Sequence, residues 1–375
     1  KMKILIAADS FKDALDATSV CLAIEKGIKI ADPTIETLCV PMADGGEGSL
    51  EVISHYIACR QRKITAHDPL MRIIDTFYLL SLDGKSAYIE IAKICGLQLL
   101  LPSERNVMET TTFGLGELIK DAILQNVQNI YVLLGGSATN DGGIGMAAAL
   151  GFQFLDINGE KLEGTGKNLE KIDKIIHPGN KNSFDNINIF ALTDVKNPLY
   201  GVNGAAHTYA KQKGASNEEI LLLDQGLKNL ASKFDKKEIA LSEGTGAAGG
   251  LGFGAMVFLN AKILQGTTWM IDITDLDLKI QEAGLIITGE GKIDGQTKNG
   301  KLVHGIAACA SKYRKPVIAF CGKLEATQNE IHNIGLKAAY PISENEKSHQ
   351  EAILKTSENL ENTAASVFKS INALF

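Results

Sequence analysis

The sequence predicts an α/β fold, in which a Rossmann-like parallel-sheet domain carries an inserted mixed α/β domain. Two observations predict it. Apolar runs alternate with amphipathic segments, as where residues 4–8 precede residues 18–30, and this is the pattern of βαβ units. Elsewhere, apolar and polar residues alternate on both sides of a turn at Asp83-Gly84, which indicates antiparallel strands.

The same patterns predict each element in chain order. Strands are expected at residues 4–8, 38–40, around 64, 77–80, 88–91, 130–134, 187–192, 285–287, 316–320 and 337–340, with a hairpin-like segment at 152–159. Helices are expected at residues 18–30, 49–58, 113–125, 303–313 and 349–374.

These elements suggest two discontinuous domains. Residues 1–62, 113–150 and 284–375 are assigned to the Rossmann-like domain, and residues 63–112 and 151–283 to the inserted domain. The cleft between two such domains is the default place for a binding site.

Composition restricts the partners. The chain of 375 residues carries a net charge of −6, so it has no overall attraction to nucleic acid or to an anionic membrane. No apolar run reaches the roughly 18 residues that a membrane-spanning helix needs. The six cysteines form no CxxC pair, which favours a cytoplasmic protein. The expected partners are small molecules, and a homodimer is left open.

Six loops are rich in acidic residues, lysine or glycine, and four of them directly follow a predicted strand. They lie at residues 9–12, 44–48, 135–143, 193–198, 244–250 and 288–294. The carboxyl ends of parallel strands line the ligand crevice of an open sheet. Glycine lets backbone N–H groups approach phosphate oxygens, and carboxylates beside phosphates suit Mg²⁺. The loops therefore indicate transfer of a phosphoryl group from ATP to a small anion.

Each loop also has a simpler interpretation. A single Asp-Gly-Gly is usually a turn, and a single Asp is often a helix cap. Residues 244–249 match GxGxxG, but no clear buried strand precedes them, so close packing of a helix explains the glycines as well as ligand binding does. Several classes are excluded, because the chain lacks a P-loop, the protein-kinase motifs, HExxH and GxSxG.

At these loops and at two further segments, the chain resembles the type I glycerate kinases. Eight motifs carry the resemblance in order, at residues 8–12, 41–48, 112–119, 135–143, 194–199, 212–215, 246–252 and 287–294. Ala8 and Asp13 depart from the family pattern, which usually has Pro and Gly there. The resemblance implies phosphorylation of D-glycerate by ATP with Mg²⁺. It implies 2-phosphoglycerate as the usual product, with 3-phosphoglycerate as the alternative.

Roles in phosphoryl transfer follow from the positions of these residues. Asp194 is expected to be the base that takes the hydroxyl proton, because it ends a strand of the inserted domain. The predicted catalytic residues are Asp194, Lys12 and Asp44, and the predicted metal ligands are Asp44 and Asp294. The predicted substrate-binding residues are Ser10, Arg72, Arg105, Lys292 and Asp294. The predicted nucleotide- or phosphate-binding residues are Gly45, Gly46, Gly136, Ser137, Asn140, Asp141, Gly246, Gly249, Thr288 and Glu290.

Two rival functions stay open from the residues alone. A nicotinamide-dependent oxidoreductase needs a glycine fingerprint directly after a strand and an acid about 20 residues later, and neither follows residues 4–8. A non-catalytic organic-acid-binding protein would bind glycerate without releasing ADP.

Overall fold

A computed structural model describes residues 3–179, 186–235, 237–295, 297, 302–342 and 349–372. Its strands are β1 (Lys3–Ile6), β2 (Glu36–Cys39), β3 (Cys59–His67), β4 (Ile73–Ser81), β5 (Ser86–Glu90), β6 (Asn129–Leu133), β7 (Gln153–Leu155), β8 (Lys174–Ile176), β9 (Asn188–Leu192), β10 (Lys262–Leu264), β11 (Leu285–Ile293), β12 (Val317–Leu324) and β13 (Ala338–Pro341).

The helices of the same residues are α1 (Ala17–Ala31), α2 (Ser49–Tyr56), α3 (Ala92–Cys95), α4 (Phe113–Leu124), α5 (Ile144–Ala149), α6 (Asn217–Ser232), α7 (Ala247–Leu259), α8 (Gly266–Ile273), α9 (Leu276–Glu282), α10 (Leu302–Lys312), α11 (Gln328–Ile334), α12 (His349–Leu354) and α13 (Thr356–Asn372). Short 3₁₀ segments lie at Leu97–Leu99, Pro102–Glu104, Gly166–Lys171, Lys211–Lys213 and Lys237–Leu241, and a π-helical turn at Ala206–Ala210. No helix among these residues is long and apolar enough to cross a membrane.

The chain divides into two compact units. The first comprises the described residues of Lys1–Asp44, Glu51–Tyr56 and Gly266–Phe375, and the second those of Gly45–Leu50 and Ile57–Gln265. The α/β fold class is confirmed, and the second unit interrupts the first, as an insertion does.

The first unit is built on a five-stranded parallel sheet in the order β13-β12-β11-β1-β2. The interior strand β1 consists of Lys3-Ile4-Leu5-Ile6, of which the last three residues are buried. Helices α1 and α13 pack closely where α1 has a glycine, because a Cβ on Gly27 would lie 2.3 Å from the carbonyl oxygen of Glu361. This is the predicted Rossmann-like arrangement.

The second unit is built on a six-stranded mixed sheet in the order β10-β9-β6-β5-β4-β3. Strands β10, β9, β6 and β5 run parallel, and β5, β4 and β3 form the predicted antiparallel part. Its core collects the inward residues of β5, β6 and β9, such as Ile89, Ile130 and Ile189, with apolar residues of α4 to α7.

The structure corrects several sequence-based boundaries. Residues 113–150 belong to the second unit rather than to the Rossmann-like one, because β6 pairs with β5 and β9. Residues 45–50 and 57–62 likewise belong to the second unit, and residues 266–283 belong to the first. The hairpin-like segment expected at 152–159 does turn back on itself, because Leu155 forms an antiparallel bridge with Lys161 and Leu162 N donates to the Phe154 carbonyl at 2.8 Å. Strand β7 also pairs with β8. Residues 288–293 continue β11 rather than forming a loop, and the helix expected at 349–374 is two helices, with residue 374 outside the described part.

Candidate active site

Three carboxylates lie near the carboxyl ends of three neighbouring strands of the first unit, β11, β1 and β2. Asp9 follows β1, Asp44 follows β2, and Glu290 lies in β11. Pairing continues beyond β1 and β2, because Met42 N donates to the Ala8 carbonyl at 3.0 Å, and this brings the two following loops side by side. The parallel pairing of neighbouring strands therefore explains why residues so distant in sequence meet here.

The pKa of Asp9 reflects the proximity of these carboxylates. Asp9 is 8% exposed. Burial is the main cause that raises the pKa of Asp9 well above its ordinary value, and the charges of Asp44 and Glu290 raise it further. The charge of Lys12 and the backbone N–H of Ser10 act in the opposite direction. An acid cluster with one nearby lysine is an arrangement that a cation and phosphate oxygens can complete.

Residues around this cluster are held by short-range contacts. Ser10 donates to Asp9 Oδ1 from its backbone N at 2.7 Å, so Ser10 supports Asp9. The backbone N of Asp9 donates to the Gly289 carbonyl at 3.0 Å. Thr288 Oγ1 is buried and has no hydrogen-bond partner among the described residues. Asp9 was missing from the sequence-based candidates, although the loop that contains it was among them.

Lys292 and Asp294 lie together at the end of β11. Lys292 Nζ is 3.3 Å from an Asp294 carboxylate oxygen and 2.7 Å from Glu325. Thr297 accepts a hydrogen bond from Asp294 N and donates one to Glu290 at 3.0 Å. The charge of Lys292 is thus balanced by two acids, and its predicted role toward substrate stays a prediction.

The donor atoms of the first unit fit Mg²⁺. Among the described residues, no group of three or more histidine, cysteine or acidic side chains is spaced to hold a metal ion by itself. Mg²⁺ does not need such a cage, because it is usually held by one or two carboxylates together with phosphate oxygens and water. Asp9, Asp44 and Glu290 offer only oxygen donors, which are the ligands that this ion prefers.

In the second unit, parallel pairing brings three further chain segments to one edge. Glu90 of β5 is paired with Leu133 of β6, and Leu133 with Leu192 of β9. The predicted loop 135–143 therefore leaves the sheet next to Thr193 and Asp194. Asp194 is half-buried. Its placement at the carboxyl end of β9 agrees with the expected position of the base, and the role itself stays a prediction.

Glu90 holds the Gly45–Leu50 segment at this edge. It is fully buried and accepts hydrogen bonds from Gly48 N at 3.2 Å and Leu50 N at 3.1 Å. Gly135 is needed because a Cβ there would lie 2.3 Å from Gly46 Cα. Gly45 and Gly135 are also joined by a backbone hydrogen bond of 3.4 Å. The predicted loops at 45–48 and 135–143 thus lie beside one another within the second unit.

Asp141 stabilises the loop from inside. It is fully buried and accepts hydrogen bonds from the Thr112 backbone and hydroxyl, both at 2.8 Å, and from Gly143 N and Gly145 N. Burial raises the pKa of Asp141, and the same hydrogen bonds oppose that shift. The capping role that the sequence left open accounts for this residue, and the described contacts leave its predicted phosphate role without support.

The glycines at 244–250 are packing residues. Gly246 N donates to the Asn197 carbonyl at 2.9 Å, and a Cβ on Gly246 would lie 2.2 Å from the Pro198 carbonyl oxygen. Residues Ala248, Gly249 and Gly250 all have positive φ inside α7. The packing interpretation therefore explains Gly246 and Gly249, while their predicted phosphate contacts stay predictions.

The two predicted arginines differ in their surroundings. Arg72 pairs with Asp68 at 2.5 Å and Glu104 at 2.8 Å, so its guanidinium already binds the protein's own carboxylates. Arg105 Nε is buried and has no partner among the described residues. Arg105 is therefore the better candidate for binding an acidic substrate.

Lys213 is a polar residue of this loop region that the candidates from sequence missed. It is 3% exposed, and its ammonium donates to Ser137 Oγ at 2.9 Å and to the Thr139 carbonyl at 2.7 Å. Burial lowers the pKa of Lys213 to about 7, against the opposing charge of Asp141. The only signal in the sequence was its place in the motif at residues 212–215.

Comparisons with known proteins agree over nearly the full chain. The model of the "Glycerate kinase family" matches residues 4–372. The glycerate kinase of Bacillus cereus is 38% identical over 369 residues, covering 98% of this chain and 97% of the relative. The glycerate 2-kinase of Escherichia coli K12 is 38% identical over 344 residues, covering 91% and 90%. A crystal structure from Salmonella typhimurium LT2, provisionally named glycerate kinase 2, is 37% identical with a TM-score of 0.81, covering 99% and 98%.

Proposed function

The chain belongs to the glycerate kinase family, as its eight motifs predicted, and from this premise we propose that it transfers the γ-phosphoryl group of ATP to D-glycerate, giving 2-phosphoglycerate with the help of Mg²⁺. The observation that carries the proposal is the group of Asp9, Asp44 and Glu290, with Lys12 nearby, at the ends of neighbouring parallel strands. Phosphoryl transfer depends on positioning and on neutralising charge, and such a group with a bound cation supplies both.

Asp44 and Asp9 are the proposed carboxylates that would hold a magnesium ion. When bound, the ion supplies positive charge to the transferring phosphoryl group. The chain itself contributes Lys12 as a phosphate partner, and Asp194 as the base that takes the proton from the glycerate hydroxyl. Asp294 is a weaker candidate for the metal, because Lys292 lies 3.3 Å from it.

Formation of 2-phosphoglycerate is favoured over 3-phosphoglycerate by one comparison. The Escherichia coli relative is named glycerate 2-kinase, and it shares 38% identity over 91% of this chain. We extend that position of transfer to this protein as part of the proposal. A cytoplasmic location is proposed as well, on the ground that the six cysteines of the sequence form no CxxC pair. A homodimer stays a prediction.

ADP release in the presence of D-glycerate, ATP and Mg²⁺ tests the proposal. We expect release that depends on all three, with L-glycerate and the absence of acceptor as controls. Passing the product directly to enolase reports 2-phosphoglycerate, whereas a requirement for a mutase first would report 3-phosphoglycerate. Folded protein that binds glycerate but releases no ADP with either enantiomer would instead support the rival, a non-catalytic organic-acid-binding protein.

A further inference from the structure

Lys213 ends a short 3₁₀ segment of the second unit and points its ammonium into the buried 135–143 loop. Its two hydrogen bonds, to Ser137 Oγ and the Thr139 carbonyl, are 2.9 and 2.7 Å long. An ammonium has three N–H donors, so two protein acceptors leave one donor for another group. A buried lysine costs free energy unless something compensates its charge. The two neutral oxygens that accept hydrogen bonds from Lys213 compensate this cost poorly.

The loop that Lys213 holds carries buried polar atoms without partners. Thr139 Oγ1 and both polar side-chain atoms of Asn140 are buried and make no hydrogen bond to any described residue. Both residues are fully buried. A buried polar atom without a partner destabilises the fold, and native proteins leave few of them. Three on two consecutive residues, next to a buried ammonium, indicate a site that a ligand completes.

We propose that Lys213, Thr139 and Asn140, here called the acceptor cluster, bind the carboxylate and the neighbouring hydroxyl group of the hydroxy-acid substrate. The assignment rests on the proposed function, and it names a substrate-binding residue, Lys213, that the sequence did not supply. Lys213 and the Thr139 hydroxyl donate to the carboxylate. Asn140 provides a donor nitrogen and an acceptor oxygen whichever way its amide is oriented, and the oxygen can accept a hydroxyl proton.

Charge favours a carboxylate over a polyphosphate here. The positive charge of one ammonium is partly offset by Asp141. It therefore matches the single charge of a carboxylate better than the several charges of a nucleoside triphosphate. The unpaired acceptor on Asn140 has no counterpart among phosphate oxygens, which only accept. The cluster therefore suits a small molecule with one negative charge and at least one hydroxyl group.

Glycines fix the cluster in place. A Cβ on Gly249 would lie 2.5 Å from Asn140 Cα, and one on Gly166 would lie 3.1 Å from the Asn140 carbonyl oxygen. A Cβ on Gly214, the residue after Lys213, would lie 2.0 Å from the Arg105 carbonyl oxygen, so the backbone of Arg105 packs against Gly214. Such packing holds the donors in position before the substrate binds, which reduces the entropy lost on binding.

Calorimetric titration without nucleotide tests the assignment, because glycerate is then bound but not converted. We expect Lys213→Met to weaken D-glycerate binding about 10- to 100-fold, as loss of a charged hydrogen bond does, and to leave MgATP binding within about twofold. Lys211→Met is the matched control, since Lys211 lies exposed on the same short segment. We expect that variant to bind both ligands like the wild type.

A second measurement uses the wild-type protein alone and so does not depend on how a variant folds. D-Lactate, which keeps the carboxylate and the 2-hydroxyl, should compete with D-glycerate, whereas glycerol, which lacks the carboxylate, should not. Equal competition by glycerol overturns the assignment. If Lys213→Met loses MgATP binding but keeps glycerate binding, the assignment is also overturned. The acceptor cluster would then be assigned to nucleotide binding.

The two proposals fail separately. If ADP is released with D-glycerate but Lys213→Met keeps its glycerate affinity, the acceptor cluster is wrong and the proposed function stands. If D-glycerate binds through Lys213 but no ADP is released, the acceptor cluster stands and the proposed function is wrong.

Discussion

The backbone of Gly249 lies directly against Thr139, since a Cβ at Gly249 would be 2.1 Å from the Thr139 carbonyl oxygen. That carbonyl oxygen is also the acceptor of the 2.7 Å hydrogen bond from Lys213. The glycine-rich start of α7 therefore packs directly against the buried loop, at a distance that only glycine permits.

Gly249→Ala is predicted to lower the free energy of unfolding by about 3 kcal/mol or more, because the new methyl group would meet backbone at a residue with φ of +68°. Chemical denaturation measures it. Gly159→Ala is the matched control, because Gly159 also has a positive φ, of +82°, but no atom lies within 4 Å of its Cβ position. The control should lose only about 1 kcal/mol from backbone strain. Equal losses in the two variants would contradict the packing role.

The lowered pKa of Lys213, about 7, predicts a pH-dependent stability. Below that pKa both the native and the unfolded states are protonated, and the full cost of burying the charge is present. As the pH rises above about 7, the native state loses its proton while the unfolded state keeps its own, so the free energy of unfolding rises by up to about 1.4 kcal/mol per pH unit. Asp141 is the charged group whose field opposes this shift.

Denaturation of the wild type and Lys213→Met between about pH 7 and 9 isolates this contribution. The difference in stability between the two should change by about 2–3 kcal/mol in favour of the wild type as the pH rises. Lys211→Met should follow the wild type at every pH, because its side chain is exposed. Parallel curves for wild type and Lys213→Met would mean that Lys213 stays protonated in the native state.

Asp13 occupies a backbone conformation that suits glycine, with φ of +64°. Its exposed side chain lies one residue beyond Lys12. Asp13→Gly is therefore predicted to raise the free energy of unfolding by about 0.5–1 kcal/mol through relief of left-handed strain. Asp13→Ala, which keeps the strain, should give no such gain. A gain in both variants would assign the effect to the lost charge rather than to the backbone.

The periodicity of apolar residues predicted those strands and helices whose conformation depends mainly on neighbouring residues in the chain. The parallel strands of the first unit were found because residues such as Ile4 and Ile287 lie in short apolar runs. The assignment of residues 113–150 failed, because α4 and β6 repeat the βα pattern, and sheet membership depends on the distant pairing of Ser86 with Asn129. Strand β11 was ended too early for a related reason. Gly289 and Gly291 resemble a loop, but pairing with β12 keeps the segment extended.

From the sequence, site residues could be identified only where they follow a predicted strand. Asp44 and Asp194 were found because they follow apolar runs. Lys213 was not chosen, because nothing in a single sequence distinguishes a buried lysine from a solvated one. The contacts around it are long-range: its ammonium reaches Ser137 and Thr139, and the adjacent Gly214 packs against Arg105.

Asp194 lies at the carboxyl end of β9, where it is proposed to act as the base. Asp194→Asn keeps the shape of the side chain but removes its ability to take the hydroxyl proton. A general base contributes about 10²–10⁴-fold to turnover, so kcat should fall by that factor, while the KM values for glycerate and ATP change by less than about threefold. Steady-state ADP release measures both.

Asp156→Asn, in the loop after β7, should leave kcat and KM unchanged. A raised KM for glycerate with unchanged kcat would instead make Asp194 a binding residue, and the base would then have to be sought among the other carboxylates at the strand ends.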